Sequence, residues 1–360
     1  MRAEVGILDL ARYFLRLGAF GFGGPIALAG YMQRDLVEQR GWFTQDEYLV
    51  GLAAAQMLPG PLAAQLAMWL GYVRHGVAGA LVAAVAFVSP PFVLVCAVAA
   101  AYVALAGTSI IQALFHGVGP AVLALILRGA WKLVRVTVRD DRRLWVIFAA
   151  VAAVTFAVRT EVAILFVAAG LVGIALYRRP AIAGLDPVLA QLLVFFLKAG
   201  AFTFGSGLAI VPFLQQGVVA EFHWLTERQF LDAIAIGVIT PGPVVIAAVF
   251  VGYVVAGLLG AIIAGLGVFL PPLVMVLVLA PWIMRHRANP TLRGFTAGAI
   301  AAAAGAIVGA AGVIATQILI DPATVAIFAI ALLVLWRAKV PEPAVVGAAA
   351  VAGIVLAAVR

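Results

Sequence analysis

The residues able to do chemistry in this chain are few, and glycine and proline group them. Phe22-Gly23-Gly24-Pro25 and Pro59-Gly60-Pro61 interrupt two helical stretches in the first half; Phe204-Gly205-Ser206-Gly207 and Thr240-Pro241-Gly242-Pro243 interrupt two in the second. Glycine lets backbone amides approach a ligand, and a proline opening a helix leaves the other first-turn N–H groups and the positive dipole end directed outward. Four such ends converging would hold an anion. Arg16 and Lys198 add a cation to each half, four residues before Phe20 and Phe202. A cation at mid-membrane costs about 2.5–3.5 kcal/mol, so one retained in both halves suits oxyanion pairing, or else snorkels to the interface. Gln56 and Gln65 flank Pro59-Gly60-Pro61 and suit either substrate hydrogen bonding or bonds between helices.

Around these lie groups suited to control. Arg34, Glu38 and Arg40, close to Trp42, read as a solvated loop cluster or as a gate over a vestibule. Asp46, Glu47, Glu221 and Asp232 are candidates for proton coupling, with capping and solvation as the plainer roles. Cys96 and His116 read as packing residues. One cysteine and four histidines leave no disulfide, no metal centre and no resident cofactor to expect. There is no nucleotide-binding loop, and the net charge of +8 forms no basic stripe suited to nucleic acid.

The elements that position these residues follow from composition. Of 360 residues 66% are apolar and 11% charged, against roughly 25% charged in a soluble domain. Apolar runs near 81–106, 112–127, 144–158, 161–177, 187–202, 257–284, 294–315, 323–336 and 343–359 are apolar all round, which predicts buried or membrane helices rather than barrel strands. Polar sequence is confined to 34–47, 128–143, 221–229 and 285–293, expected as loops. Glu4 and Asp9 interrupt the N-terminal pattern and no small-residue cleavage site follows, so no removable signal peptide is expected.

Thr44-Gln45-Asp46-Glu47 and Thr226-Glu227-Arg228-Gln229 are capping boxes, with Phe43/Tyr48 and Leu225/Phe230 as hydrophobic staples. A helix from Thr44 to Leu58 is about 22 Å long, short of the ~30 Å hydrocarbon core, so Pro-Gly-Pro breaks it inside the membrane, with Pro61 and Pro243 expected at the first position of the next helix.

The two sets of motifs are copies. At an offset of 182, Phe14–Gly23 and Phe196–Gly205 share seven of ten residues, and the Pro-Gly-Pro motifs coincide. At 181, Gly71-Tyr72-Val73 and Pro90-Pro91 fall on Gly252-Tyr253-Val254 and Pro271-Pro272. Residues 128–143 carry six Lys and Arg while 309–324 carry none; 285–293 carries three while 104–112 carries none. Because cytoplasmic loops collect Lys and Arg, this implies opposite orientations, although Arg2, Arg12 and Arg16 conflict with the resulting placement of the N-terminus. The expected fold is an all-α polytopic membrane protein, its halves 1–180 and 181–360 forming an inverted-topology repeat with broken, re-entrant helices.

Phe22–Pro25, the charged stretch ending in Trp42, Gln56-Met57-Leu58-Pro59-Gly60-Pro61, Gly71-Tyr72 and Pro90, with a degenerate second copy, resemble the chromate ion transporter family over nearly the whole chain. The resemblance implies a two-half, long-chain member moving chromate across the plasma (inner) membrane, commonly outward as resistance, with sulfate as structural competitor and essential residues in the glycine and proline motifs. The expected activity is therefore secondary oxyanion transport rather than enzymatic chemistry, with the lipid bilayer and a small oxyanion as partners and a homodimer as a further candidate. Sulfate uptake, an anion channel and a lipid-phosphate enzyme are the alternatives, the last lacking clustered intramembrane carboxylates.

Overall fold

Helices are the only regular elements among the described residues, as sequence apolar on every face requires. The computed structural model describes residues 5–22, 24–105, 109–138, 141–158, 186–202, 210–278, 282, 289–338, 340 and 342–359. The first half contains α1 (Ile7–Phe20), α2 (Gly24–Met32) running into a π-helical segment (Gln33–Gln39), α3 (Gln45–Met57), α4 (Leu62–Ala104), α5 (Ser109–Thr137) and α6 (Arg142–Val158). The second contains α7 (Pro187–Phe202), α8 (Ile210–Leu214) with a π-helical segment (Gln215–Glu221), α9 (Glu227–Ile239), a 3-10 turn (Val244–Ile246), α10 (Ala247–Val278), α11 (Pro290–Ile318), α12 (Pro322–Arg337) and α13 (Glu342–Val359). The duplication extends to irregular backbone, since the π segments and α3/α9 superpose residue for residue at the offset of 182.

Two stretches expected as polar loops are partly helical. Gln33–Gln39 continues α2, and α5 runs through Arg128, Lys132 and Arg135 to Thr137. Arg and Lys are good helix formers, and Arg135 lies over the Trp131 ring, so charge here decorates helix ends instead of breaking them. The run at 161–177, and parts of 104–112 and 285–293, lie outside the described residues.

Long α4 is two helices folded back on each other. His75 (φ −132°, ψ 23°) and Gly76 (φ 56°, ψ −142°) are non-helical, and a Cβ on Gly71 would strike the Gly79 carbonyl and come within 2.9 Å of the Ala83 Cβ. Residues 71 and 83 would stand about 18 Å apart in a continuous helix, so the chain reverses at Gly76. Helix α10 repeats the reversal at Ala256 and Gly257 (φ 59°, ψ −153°), with Gly252 against Gly260. The second arm of α4, residues 77–104, is about 42 Å long, enough to cross a bilayer. Its outward side chains, among them Leu81, Val85, Val93 and Val98, are exposed and apolar, as a lipid-facing surface requires.

The first arm of α4, residues 62–74, pairs antiparallel with α3. Trp69 Nε1 donates to the Glu47 carbonyl at 3.3 Å, Gly51 faces the Trp69 ring, and Arg74 meets the Glu47 carboxylate at 3.0 Å. The two arms form a re-entrant hairpin with its base at Glu47/Arg74 and its tip at Pro59-Gly60-Pro61. At 13 residues α3 is about 20 Å long, too short to cross. In the second half α9 packs on α10 across a tip at Pro241-Gly242-Pro243, where a Cβ on Gly237 would lie 2.9 Å from that of Ala247.

The halves join through α4 against α10. A Cβ on Gly60 would lie 2.9 Å from the Pro272 Cβ, and one on Gly242 would lie 3.1 Å from the Pro91 Cγ. Each hairpin tip therefore rests on the mid-helix prolines of the other half. Pro91 is halfway along the arm 77–104, which puts the tips at the middle of a bilayer-length helix. The first hairpin lies beside the N-terminal half of that arm, through Gly71, Gly79 and Ala83. From its tip at Pro91 the second runs toward the C-terminal half, where Tyr102 bonds to Asp232 of α9. Hairpins entering from opposite ends of one helix are an inverted repeat.

Candidate functional site

Each hairpin begins as the sequence dictates. Thr44 Oγ1 accepts from the Glu47 amide at 3.2 Å while Glu47 Oε2 accepts from the Thr44 amide at 2.9 Å; Thr226 and Gln229 repeat both bonds. Phe43, Tyr48, Leu225 and Phe230 are buried in one core. Each arm then stops because Pro-Gly-Pro cannot extend it: Leu58 and Thr240 are extended, and Gly60 and Gly242 take φ of 136° and 95°, values an L side chain rarely adopts. Pro61 and Pro243 stand one position earlier than expected. They are the N-caps of the next elements, with extended ψ of 108° and 130°, and a 3-10 turn precedes α10.

At the tips, Gly242 N–H donates to the Gly21 carbonyl at 2.9 Å, so one amide expected to face a ligand instead ties the second tip to the end of α1. Gln65 is fully buried; its Nε2 donates to the Pro59 carbonyl at 2.7 Å, which holds the first tip and leaves Oε1 buried with no hydrogen-bond partner. Buried polar atoms are nearly always paired, so an unpaired amide oxygen at the first tip marks a place for a water or a ligand. Thr240 is buried, with Oγ1 donating to the Ile236 carbonyl at 2.6 Å. Gln56 is exposed on α3, close to its tip. Gly24, with φ of 76°, opens α2 beside open space, and Pro25 follows in its first turn. Phe22 is exposed. Gly23, Phe204, Gly205, Ser206 and Gly207 lie outside the described residues.

Arg16 and Lys198 lie on the exposed faces of α1 and α7. Their depth follows from their neighbours: Gly18 packs on the Phe87 carbonyl of α4 and Gly200 on the equivalent Val268 carbonyl of α10. Phe87 is four residues, about 6 Å, from Pro91, so both cations stand within the half-thickness of ~15 Å around the tips. Asp9, Arg12 and Arg16 form one exposed charged stripe on α1, with Arg12 3.5 Å from Asp9.

At the base of the first hairpin Glu47 receives two nitrogens of Arg74, at 3.0 and 3.3 Å, and Arg74 also donates to the Trp42 carbonyl and lies over the Phe43 ring. Arg40 stacks on Tyr13 and Trp42 at 5.2 and 4.7 Å, Arg34 binds Asp35 at 2.9 Å, and Glu38 is exposed. The second half puts Phe195, Phe222 and Trp224 where Tyr13, Arg40 and Trp42 stand; Phe222 and Trp224 stack at 4.5 Å. Asp46 and Glu221 are exposed, whereas Asp232 is buried, so capping and solvation do not explain it. Cys96 is half-buried, and the His116 side chain lies outside the described set. Sequence reasoning missed Arg74, Asp35, Tyr13 and Tyr102. Each acts through the fold, across 22 to 130 residues of chain, although Arg74 in an apolar run was itself a signal.

Comparison with known proteins matches this architecture. The chromate transporter family model matches residues 8–174 and 190–354, one segment in each half. The chain is 47% identical to the chromate transport protein of Cupriavidus metallidurans, covering 96% of this chain and 92% of that one. It is 44% identical to a probable chromate transport protein of Synechococcus elongatus (96% and 95% covered) and 32% to the chromate transport protein of Pseudomonas aeruginosa (94% and 90%). No solved structure matches the chain. With both segments matched and relatives similar from end to end, the chain belongs to the chromate transporter family.

Proposed function

We propose that this membrane protein is a secondary transporter that exports chromate across the cell membrane, binding the dianion at the two hairpin tips. Repeats 1–180 and 181–360 rock against each other about the Gly60–Pro272 and Gly242–Pro91 contacts, exposing the tips to one face and then the other. Gln65, the Pro59-Gly60-Pro61 and Thr240–Pro243 breaks, and the start of α2 at Gly24 and Pro25 frame the site. Arg34, Glu38, Arg40 and Glu47 act at the mouth of the first half.

The observation that carries the reading is the depth of Arg16 and Lys198. A cation at this depth costs about 2.5–3.5 kcal/mol against lipid, which supports a role for Arg16 and Lys198 where water or an anion reaches them. The exported species carries two negative charges, and a potential of 100 mV, interior negative, favours its exit by about 4.6 kcal/mol.

The test is radiolabelled chromate flux in proteoliposomes under an imposed potential. Saturable flux, reduced by sulfate and lowered about tenfold in Arg16→Gln and Lys198→Gln, is expected. Flux no greater than in empty liposomes would refute the assignment. Flux that rises linearly with chromate would make the protein a channel, and sulfate preferred over chromate would make it a sulfate carrier.

A further inference from the structure

Asp232 is a carboxyl group that neither the caps nor the oxyanion site employs. It is 3% exposed, in the middle of α9, where every residue from 231 to 238 is buried. Tyr102, at the far end of the long arm of α4, donates its hydroxyl to Asp232 Oδ2 at 2.7 Å and packs edge-on to Phe250 at 5.1 Å. The bond joins the hairpin of one repeat to the spanning helix of the other, across the interface that must slip when the repeats rock. The fold does not require an acid here, because Val50 holds the equivalent position in the first repeat.

The charged surroundings are sparse. Arg228, one helical turn earlier on α9, is the cation whose field reaches Asp232. Of the other elements packed on α9, α10 carries only Tyr253, α13 only Glu342 at its first residue, and the second π segment only Glu221 at its end. Helix α5 carries His116, Arg128, Lys132 and Arg135. Arg228 is exposed, so water at the hairpin base is about 6 Å, one turn, from the carboxyl group.

We infer that Asp232 and Tyr102 form a proton-binding coupling site, separate from the oxyanion site, through which proton movement drives the rocking of the repeats. This rests on the oxyanion-transport reading. While Asp232 is charged, the Tyr102 hydroxyl and Arg228 hold it, and the strong bond to a charged acceptor latches the second hairpin to the long arm of α4. A proton arriving from water at the hairpin base adds to a carboxylate oxygen. The neutral carboxyl group binds Tyr102 more weakly, and the latch releases. After the repeats have rocked, the proton leaves to water on the other face and the charged latch re-forms.

The experiment measures radiolabelled chromate in proteoliposomes, with the potential clamped at zero and a pH gradient of one unit imposed, alongside chromate–chromate exchange without a gradient. The wild type is expected to accumulate chromate severalfold against its gradient. Asp232→Asn should keep the exchange and lose the accumulation. Tyr102→Phe should move the midpoint of the pH–flux profile upward, because the carboxylate loses the donor that favours its charged form. Wild-type exchange without pH-driven accumulation overturns the inference while leaving the transport reading intact. Accumulation surviving in Asp232→Asn also overturns it. Should Asp232→Asn show no exchange, Tyr102→Phe decides, and an unmoved midpoint overturns the coupling role. A wild type with no chromate exchange refutes the transport reading and this inference with it.

Discussion

The two re-entrant hairpins descend from one sequence, yet they are held in different ways. Charge fastens the base of the first: Arg74 clamps Glu47 and the Trp42 carbonyl, and Arg40 lies over Tyr13 and Trp42. Its α3 also leaves Leu49 and Gln56 exposed. In the second, Gln229 replaces Glu47, Val255 replaces Arg74 and a stack of Phe195, Phe222 and Trp224 replaces the charged cluster, while α9 is enclosed apart from its first turn. The tips, by contrast, are alike, with the same positive-φ glycine seated on the same mid-helix proline of the opposite half. Duplication has preserved the part where the halves meet and let the two mouths diverge. One base is held by a charged clamp and the other by an aromatic stack.

That contrast can be broken first at the tips. Gly60→Ala forces a side chain onto a φ of 136° and against Gln65 and Pro272, and Gly242→Ala does the same against Pro91. Backbone strain and overpacking together cost about 4 kcal/mol, so both variants should lose most folded protein in detergent and nearly all chromate flux. Gly76→Ala and Gly257→Ala meet open space and bear only the backbone strain of a positive φ, about 1–3 kcal/mol, so they should lose less folded protein than the tip variants. Thermal unfolding in detergent separates the two pairs.

The clamp comes next. Arg74→Ala removes the forked contact to Glu47 and the bond to the Trp42 carbonyl and should cost about 3 kcal/mol, with Arg74→Lys restoring little because the forked geometry is lost. Gln229→Ala, at the second base, removes one capping bond and should cost about 1 kcal/mol. If the two losses prove equal, the bases are not held differently. A smaller effect is expected from Gln65→Leu, which should lower chromate affinity severalfold while stability changes by under about 1.5 kcal/mol, since it removes one satisfied and one unsatisfied polar group together. Equilibrium binding and unfolding on the same preparation check this. Smallest is Thr240→Val, which deletes a bond within its own helix and should cost about 1 kcal/mol with flux unchanged within twofold.

Much of this was legible in the residues. The capping boxes at Thr44 and Thr226, the shortness of the arms they start and the breaks at Pro-Gly-Pro are local, and local rules held to within a residue, as at Pro61 and Pro243. The repeat was legible because two copies test each other. Other features were not, for a common reason: they are set by contacts far apart in the chain. Nothing near Gly76 distinguishes a kink from a full reversal until Gly71 meets Gly79. The amide of Gly242 looked available until the Gly21 carbonyl came beside it. Asp232 read as one more acid after a helix start, and only burial together with Tyr102, 130 residues away, singles it out. The helical course of 33–39 and 128–137 was hidden because charge was read as loop, whereas Arg, Lys, Gln and Glu are good helix formers.

The central claim is that the hairpins enter the membrane from opposite faces, each resting its tip at mid-membrane on the prolines of the other half. Asp46 and Arg228 are equivalent exposed residues, one at the base of each hairpin. With Cys96 replaced by alanine, Asp46→Cys and Arg228→Cys are labelled singly with a membrane-impermeant maleimide in right-side-out and inside-out vesicles. Labelling of the two from opposite faces is the expected result; labelling of both from one face would contradict the account.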